Sequence, residues 1–141
     1  MRFDAPLDAG AYSFVHRVRV RFAETDAMGV VHHAAYFVYL EEARVEYLRS
    51  LGHPYDRIRA EGMNLPTIEV AARYRRPLRF DDSVAVHLMV GSVGGATFQM
   101  NYLLTVEDEV CALAVTVHAV VADNGRAARI PGWLRELRVP S

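Results

Sequence analysis

The chain of 141 residues has the length of one domain, and with 52% hydrophobic and 23% charged residues it has the composition of a globular protein rather than a disordered or fibrous one. All 16 basic residues are arginine, and against 17 acidic residues they give a net charge of −1, which does not indicate nucleic-acid binding. The absence of lysine excludes Schiff-base and P-loop enzymes, and the single cysteine, Cys111, excludes an internal disulfide and a multi-cysteine zinc site.

The first predicted element is a strand over residues 14–22. Its apolar residues, with His16 in register, alternate with arginines, so we expect one face to be buried and the other to be solvated and cationic. A loop over residues 23–31 follows this strand and contains Asp26 and Gly29.

One long helix is predicted next, from about residue 33 to 51. It has no internal Gly or Pro, and its apolar residues recur at helical spacing, which predicts one buried face. The residues of this stripe are Tyr36, Leu40, Ala43 and Tyr47. Gly52 stands where helices commonly end, and a short helical turn is expected near residues 55–60.

After Pro66 the sequence becomes β-rich. Alternating apolar residues predict four strands, with turns between them at residues 77–82, 91–95 and 107–109. The strands are expected over residues 68–75, 83–90, 97–106 and 110–122, and a short terminal helix near residues 133–137. We therefore predict an α+β fold in one domain over residues 1–141, in which the four strands run as an antiparallel meander.

Asp26 is the polar residue best placed for chemistry. It lies after a strand and about one turn before a helix N-terminus, which offers unpaired N–H donors. A carboxylate that faces such donors can attack a carbonyl or activate water while the donors hold the developing oxyanion. The alternative is that Asp26 only caps the loop or the helix, which is the commoner role of Asp in a turn.

The segment around Asp26 resembles the signature of the 4-hydroxybenzoyl-CoA thioesterase family of hotdog-fold acyl-CoA thioesterases. The matching motif reads DAMGVVHHAAY over residues 26–36 and continues with Leu-Glu and Ala-Arg at residues 40–44. Arg76-Pro77 and the acidic pair at residues 81–82 extend the resemblance, which covers residues 18–131. It implies a hotdog fold, with an antiparallel sheet wrapped around one long central helix, and dimers or tetramers with active sites between subunits.

By this resemblance Asp26 is the catalytic carboxylate, acting as nucleophile or general base. The backbone N–H of His33 then polarises the thioester carbonyl, and Gly29 shapes the loop between the two groups. His32 and Tyr36 become candidate substrate-binding residues, and the alternative for the histidine side chains is ordinary packing near the helix start. Two departures stand out: Ala35 occupies a position where many relatives have Asn, and the 91–96 turn lacks the basic residues that hold CoA phosphates in some relatives.

Four arginines form the densest basic patch and are candidate substrate-binding residues. They are Arg73, Arg75, Arg76 and Arg79. Arginine can hold phosphate through two hydrogen bonds, so the patch can anchor the phosphates of CoA or of an acyl carrier. The alternative is an ordinary solvated strand face and turn.

No metal site is predicted, and Glu41 and Cys111 are interpreted as structural residues. Adjacent His32 and His33 are expected to point in different directions with no third ligand, so no metal site is predicted. Glu41 is expected to pair with Arg44 at i+3, and Cys111 to be a core thiol.

The sequence thus predicts a homo-oligomeric acyl-CoA thioesterase, a dimer or tetramer that hydrolyses a thioester to a free acid and CoA. No cofactor is expected, since CoA is part of the substrate. An acyl-carrier-protein thioesterase and a non-catalytic hotdog module that binds acyl thioesters are the alternatives. Without a signal peptide or a run of roughly 20 apolar residues, we expect a cytoplasmic protein with no membrane or nucleic-acid partner.

Overall fold

The computed structural model describes residues 1–138, so the last three residues of the predicted domain lie outside the described part. One five-stranded antiparallel sheet packs on one long helix, which is the predicted α+β arrangement. The elements are β1 (Phe14–Arg19), α1 (Ala35–Ser50), α2 (Tyr55–Ala60), β2 (Met63–Asn64), β3 (Thr67–Tyr74), β4 (Ser83–Val93), β5 (Thr97–Val106), β6 (Glu109–Ala119), β7 (Val121–Ala122) and α3 (Gly132–Arg135).

The strand order differs from the predicted four-stranded meander in the position of β3. β4, β5 and β6 form an antiparallel meander, but the sheet order is β1-β4-β5-β6-β3, so β3 lies at the far edge beside β6. The connection from β3 to β4 is held at the loop before α1. Leu78 within it is fully buried, and its carbonyl accepts the Val31 N–H at 2.8 Å, at the loop that leads into α1. Because this connection is held there, β3 and β4 are not joined as a hairpin.

Helix α1 buries the stripe that the sequence predicted. Tyr36, Leu40, Ala43 and Tyr47 are each at most 4% exposed and pack against the inner face of the sheet. The helix begins at Ala35, later than predicted, because residues 32–34 form a turn in which the Ala35 N–H donates to the His32 carbonyl.

A chain of buried polar side chains crosses this core. Arg44 donates to the Tyr102 hydroxyl at 3.2 Å, and that hydroxyl lies 2.7 Å from the Thr116 hydroxyl. Thr116 contacts Nε2 of His118 at 2.8 Å, while Nδ1 of the same ring lies 3.3 Å from the Thr67 hydroxyl. Burial lowers the pKa of His118 to about 3, so its imidazole is neutral. We call the four buried residues Arg44, Tyr102, Thr116 and His118 the buried polar network, and Thr67, at its end, is exposed.

The predicted strands over residues 14–22, 83–90 and 110–122 differ from the structure. The last of them is divided at Val120 into β6 and β7, which belong to different sheets. β1 ends at Arg19 because residues 22–24 form a 3-10 turn instead of continuing the strand. β4 runs on to Val93, through the predicted 91–95 turn, because a β-bulge between Val90 and Ser92 absorbs Gly91 within the strand. The reversal therefore lies after Val93.

The outer face of the sheet is covered by residues 1–13, which we call the N-terminal strap. Its Arg2 backbone exchanges two hydrogen bonds with the Gln99 side chain, at 3.0 and 2.5 Å. Phe3 lies 4.1 Å beneath the guanidinium of Arg73. These contacts hold the strap across β5 and β3.

Near the other end of the described chain, the Trp133 ring stacks on His53 with centroids 3.8 Å apart, which docks α3 beside the end of α1. None of the helices within residues 1–138 is both long and apolar enough to cross a membrane.

Candidate active site

The loop between β1 and α1 holds Asp26 through its own backbone. Thr25 and Val31 form an isolated antiparallel bridge, and the Asp26 N–H donates to the Val30 carbonyl at 2.8 Å. Oδ1 of Asp26 accepts the N–H groups of Met28 at 2.8 Å and Val30 at 3.3 Å, so the capping interpretation holds for this oxygen. Oδ2 has no hydrogen-bond partner among residues 1–138, and the residue is exposed. This oxygen is therefore open to substrate or water.

Gly29 makes the turn of this loop. Its φ is +78°, a left-handed conformation that residues with a Cβ rarely adopt, and its N–H donates to the Asp26 carbonyl at 3.0 Å. The glycine thus fixes the backbone that presents Asp26.

His33 lies in the turn that leads into α1. The neighbouring N–H groups of Val31, His32 and Ala34 all donate to acceptors within the chain. Within the described residues, the His33 N–H has no acceptor. It stands just before a helix of 16 residues, where the helix dipole gives partial positive charge, so it is a donor suited to an oxyanion.

A cleft of about 290 Å³ opens beside His33. It is lined by Val30, Val31, His33, Tyr36, Tyr74, Arg75, Arg76 and Pro77. The Tyr74 hydroxyl donates to the His33 carbonyl at 3.3 Å, and its ring meets Tyr36 edge-on at 4.7 Å. Burial raises the pKa of both tyrosines, so their hydroxyls are protonated at neutral pH. Asp26 and His32 are not among the residues that line this cleft.

Glu24 is a residue of this region that the sequence did not single out. Its side chain accepts the Arg21 N–H at 2.8 Å and the Tyr39 hydroxyl at 2.7 Å, and its carbonyl accepts the His32 N–H at 2.9 Å. Burial opposes ionisation of this carboxyl, but the hydrogen bonds from Arg21 and Tyr39 outweigh it and lower the pKa of Glu24. Glu24 therefore ties the end of β1 to the helix and to the turn before it. The only feature of the sequence that indicates this role of Glu24 is its i+3 spacing from Arg21.

Several known proteins are similar to this chain in sequence and in fold. The chain matches the thioesterase-like superfamily over residues 20–137. It belongs to that superfamily. A putative esterase of Aquifex aeolicus is 43% identical over 124 residues, which cover 88% of this chain and 96% of the relative. An acyl-CoA thioester hydrolase of Escherichia coli O157:H7 is 34% identical over 80 residues, 57% of this chain and 60% of the relative.

The solved structures agree. A hypothetical protein of Thermus thermophilus superposes with a TM-score of 0.81 and 39% identity over 87% of this chain and 95% of that one. The predicted hotdog fold is confirmed, and so is the predicted enzyme class, a thioester hydrolase, at the level of the thioesterase-like superfamily.

In this thioesterase-like chain the four predicted arginines do not form one patch. Arg75 and Arg76 line the cleft beside His33, and Arg76 also pairs with Glu109 at 2.5 Å. Arg79 borders an adjoining cleft that shares Arg76 and Pro77. Arg73 lies instead over Phe3 of the N-terminal strap. The substrate-binding role of each arginine stays a prediction.

Glu41 and Cys111 have the environments predicted for them. The Glu41 carboxylate lies 4.0 Å from the Arg44 guanidinium at the expected i+3 spacing. Cys111 is buried, and burial raises the pKa of its thiol, which disfavours the reactive thiolate.

The expectation that His32 and His33 diverge is wrong. Their rings stack with centroids 4.3 Å apart, because the two residues lie in a turn rather than on a regular helix. Nδ1 of His32 accepts the Ala34 N–H at 3.2 Å, so this ring caps the turn. Across residues 1–138 no group of three or more His, Cys, Asp or Glu residues is arranged to hold a metal ion.

Proposed function

We propose that this chain hydrolyses acyl-CoA thioesters, with Asp26 as the catalytic carboxylate and the His33 N–H as the donor to the thioester carbonyl. One observation carries the proposal: the Oδ2 atom of Asp26 and the N–H of His33 are an acceptor and a donor without partners in the described chain, only seven residues apart in sequence. Membership of the thioesterase-like superfamily supports it. Membership of the narrower 4-hydroxybenzoyl-CoA thioesterase family stays a prediction.

The chemistry needs only these groups and water. In one route Oδ2 of Asp26 attacks the carbonyl carbon, the C–S bond breaks, and water hydrolyses the resulting anhydride. In the other, Asp26 takes a proton from a water molecule as that water attacks. In both routes the negative oxygen of the tetrahedral intermediate accepts the His33 N–H, and the CoA thiolate leaves and is protonated. The products are a carboxylic acid and a thiol.

The CoA phosphates would meet Arg75 and Arg79. Neither guanidinium forms an ion pair within residues 1–138, and Arg75 borders the cleft at His33. Arginine binds phosphate through two parallel hydrogen bonds, which gives these side chains the right chemistry for the nucleotide end of the substrate.

A second copy of the chain is proposed to complete the site by pairing along β3. This strand is an edge of the sheet, and its Ile68 and Val70 side chains are 52% and 45% exposed. An apolar edge strand of eight residues is a template for pairing with another strand. Tyr74 at its end borders the cleft, so a partner on β3 would stand next to the reacting groups. Cytoplasmic location remains a prediction.

The test is hydrolysis of a panel of acyl-CoAs with short, long and aromatic acyl groups by wild type and Asp26→Asn. Asp56→Asn, an exposed carboxylate on α2, is the matched control. We expect hydrolysis by wild type and control and its loss in Asp26→Asn. Equal rates in all three proteins would overturn the mechanism, and a tight complex that is never hydrolysed would indicate a binding module.

A separate experiment tests whether the acyl group is bound to CoA or to an acyl carrier protein. Arg75→Gln and Arg79→Gln should raise KM for acyl-CoA more than they lower kcat, whereas Arg73→Gln should change neither. Hydrolysis only of carrier-bound acyl groups, with strong salt dependence, would favour an acyl-carrier-protein thioesterase instead.

A further inference from the structure

A cavity of about 460 Å³ lies between the N-terminal strap and the outer face of the sheet. It shares no lining residue with the cleft at His33, so it is a separate site. Its volume falls within the range of ligand-binding pockets, roughly 300–1,000 Å³. Met89 contributes an apolar wall, and Asn101 and Ser92 contribute polar groups.

The Asn101 side chain is the feature that points to a ligand. Asn101 is 3% exposed, and its Oδ1 accepts a hydrogen bond from Gln99 Nε2 at 3.0 Å, which fixes the orientation of the amide. With Oδ1 so placed, Nδ2 is the remaining polar atom, and it has no acceptor among residues 1–138. No fully buried side-chain nitrogen or oxygen among residues 1–138 lacks a partner, so Nδ2, which has none, is accessible from the cavity that Asn101 lines. A donor that faces a cavity can bind water or an acceptor on a ligand.

Gly91 provides the space for this amide. It lies at the β-bulge of β4, and a Cβ placed on it would stand 2.7 Å from Asn101 Nδ2. A residue larger than glycine would therefore push the amide out of its place at the cavity wall.

The charges around the cavity favour an anion. Arg2 and Arg138 line it with one carboxylate, Asp4, which lies 3.6 Å from the Arg2 guanidinium. Two arginines and one aspartate leave one positive charge, which matches a single negative charge on a ligand. The Gln99 amide is already used, because its Oε1 accepts the Arg2 N–H and its Nε2 donates to the Arg2 carbonyl and to Asn101 Oδ1.

We propose that this cavity binds a small organic monocarboxylate. The carboxylate would accept from Asn101 Nδ2 and from the arginines, and the apolar body would lie against Met89. This site is independent of the thioester chemistry at Asp26, and its test does not require that the proposed function is correct.

The test is calorimetric titration of the full chain with benzoate and hexanoate, using benzyl alcohol as the neutral probe of similar shape. We expect saturable carboxylate binding, and at least about tenfold weaker binding of the alcohol, because a charge-assisted hydrogen bond is lost. Gly91→Ala should weaken benzoate binding about tenfold or more, a loss that corresponds to a single good contact. Gly95→Ala is the matched control, because a Cβ there meets no atom within 4 Å.

Asp26→Asn should bind benzoate as wild type does, which separates this site from the active site. Arg138→Gln, a change at an exposed side chain, provides a second test if Gly91→Ala fails to fold. No saturable binding at about 10 mM probe, where millimolar affinity would be detected, would overturn the proposal. Benzoate binding that Asp26→Asn abolishes but Gly91→Ala and Arg138→Gln leave unchanged would assign the ligand to the active site and would also overturn it.

Discussion

The loop at residues 25–33 and the buried polar network use hydrogen bonds in opposite ways. In the network, the hydroxyls of Tyr102 and Thr116 and both ring nitrogens of His118 have partners. In the loop, the backbone is tied down, yet Asp26 Oδ2 and the His33 N–H have no partner in the described chain. Satisfied buried groups contribute to stability, whereas groups left without partners on a fixed backbone are available to a substrate. Mutations in the two regions should therefore separate activity from stability.

The largest effect is expected for Asp26→Asn on kcat. Loss of a general base or nucleophile should lower kcat by roughly 10²–10⁴-fold. The free energy of unfolding should change little, because an Asn oxygen can still accept the Met28 and Val30 N–H groups. Urea denaturation alongside steady-state kinetics measures both. A large loss of stability with unchanged kcat would contradict a catalytic role and would make Asp26 a structural residue.

Tyr102→Phe should show the opposite pattern. Removing this hydroxyl takes a partner from both Arg44 and Thr116 within the core, which should cost about 1–3 kcal/mol of unfolding free energy. Activity per folded molecule should stay near wild type. Tyr12→Phe, which removes a hydroxyl bonded to the Pro6 carbonyl near the surface, should cost less.

The buried network also predicts a pH dependence. The pKa of His118 is lowered to about 3 in the folded state, so below its ordinary value of about 6.5 the unfolded chain takes up a proton that the folded chain does not. This group therefore contributes full stability above pH 6.5, and its contribution falls by roughly 1.4 kcal/mol per pH unit between 6.5 and 3. His118→Gln should flatten the fall in unfolding free energy from pH 7 to 5, measured by urea denaturation.

Gly29→Ala is expected to lower both stability and activity by modest amounts. Its left-handed φ of +78° strains any residue with a Cβ, by about 1–2 kcal/mol, although no atom within 4 Å would clash. Gly52→Ala is a matched control, since Gly52 has a φ of +82° and equally open space. Both should lower Tm by similar amounts, but only Gly29→Ala should lower kcat, because only that turn holds Asp26.

Local features of the site could be predicted from the sequence, and features that depend on distant pairing could not. Asp26, Gly29 and His33 lie within eight residues, so a single sequence motif contains all three. The stripe of α1 follows from helical periodicity alone. By contrast, the place of β3 at the far edge depends on its pairing with β6, about 40 residues away, and no local pattern encodes that choice.

The same limit applies to contacts made by single side chains. Glu24 appears in the sequence as an ordinary loop carboxylate, and only the packed structure brings it to Tyr39 and to the turn at His32. Gln99 meets the Arg2 backbone across 97 positions of sequence, so the N-terminal strap and the cavity beneath it could not be foreseen. Alternation along β3 separates Arg73 from Tyr74, but the sequence does not show that Phe3 of the N-terminal strap lies against Arg73.

The stacking of Trp133 on His53 has a practical consequence for every unfolding experiment proposed above. Trp133 is the only tryptophan in the sequence, and it lies at the docked α3 rather than within the sheet. Its emission therefore reports whether the end of the chain is attached, while circular dichroism of the strands reports the sheet. If α3 detaches first, the two optical probes will give different midpoints, and the fluorescence midpoint will belong to undocking alone.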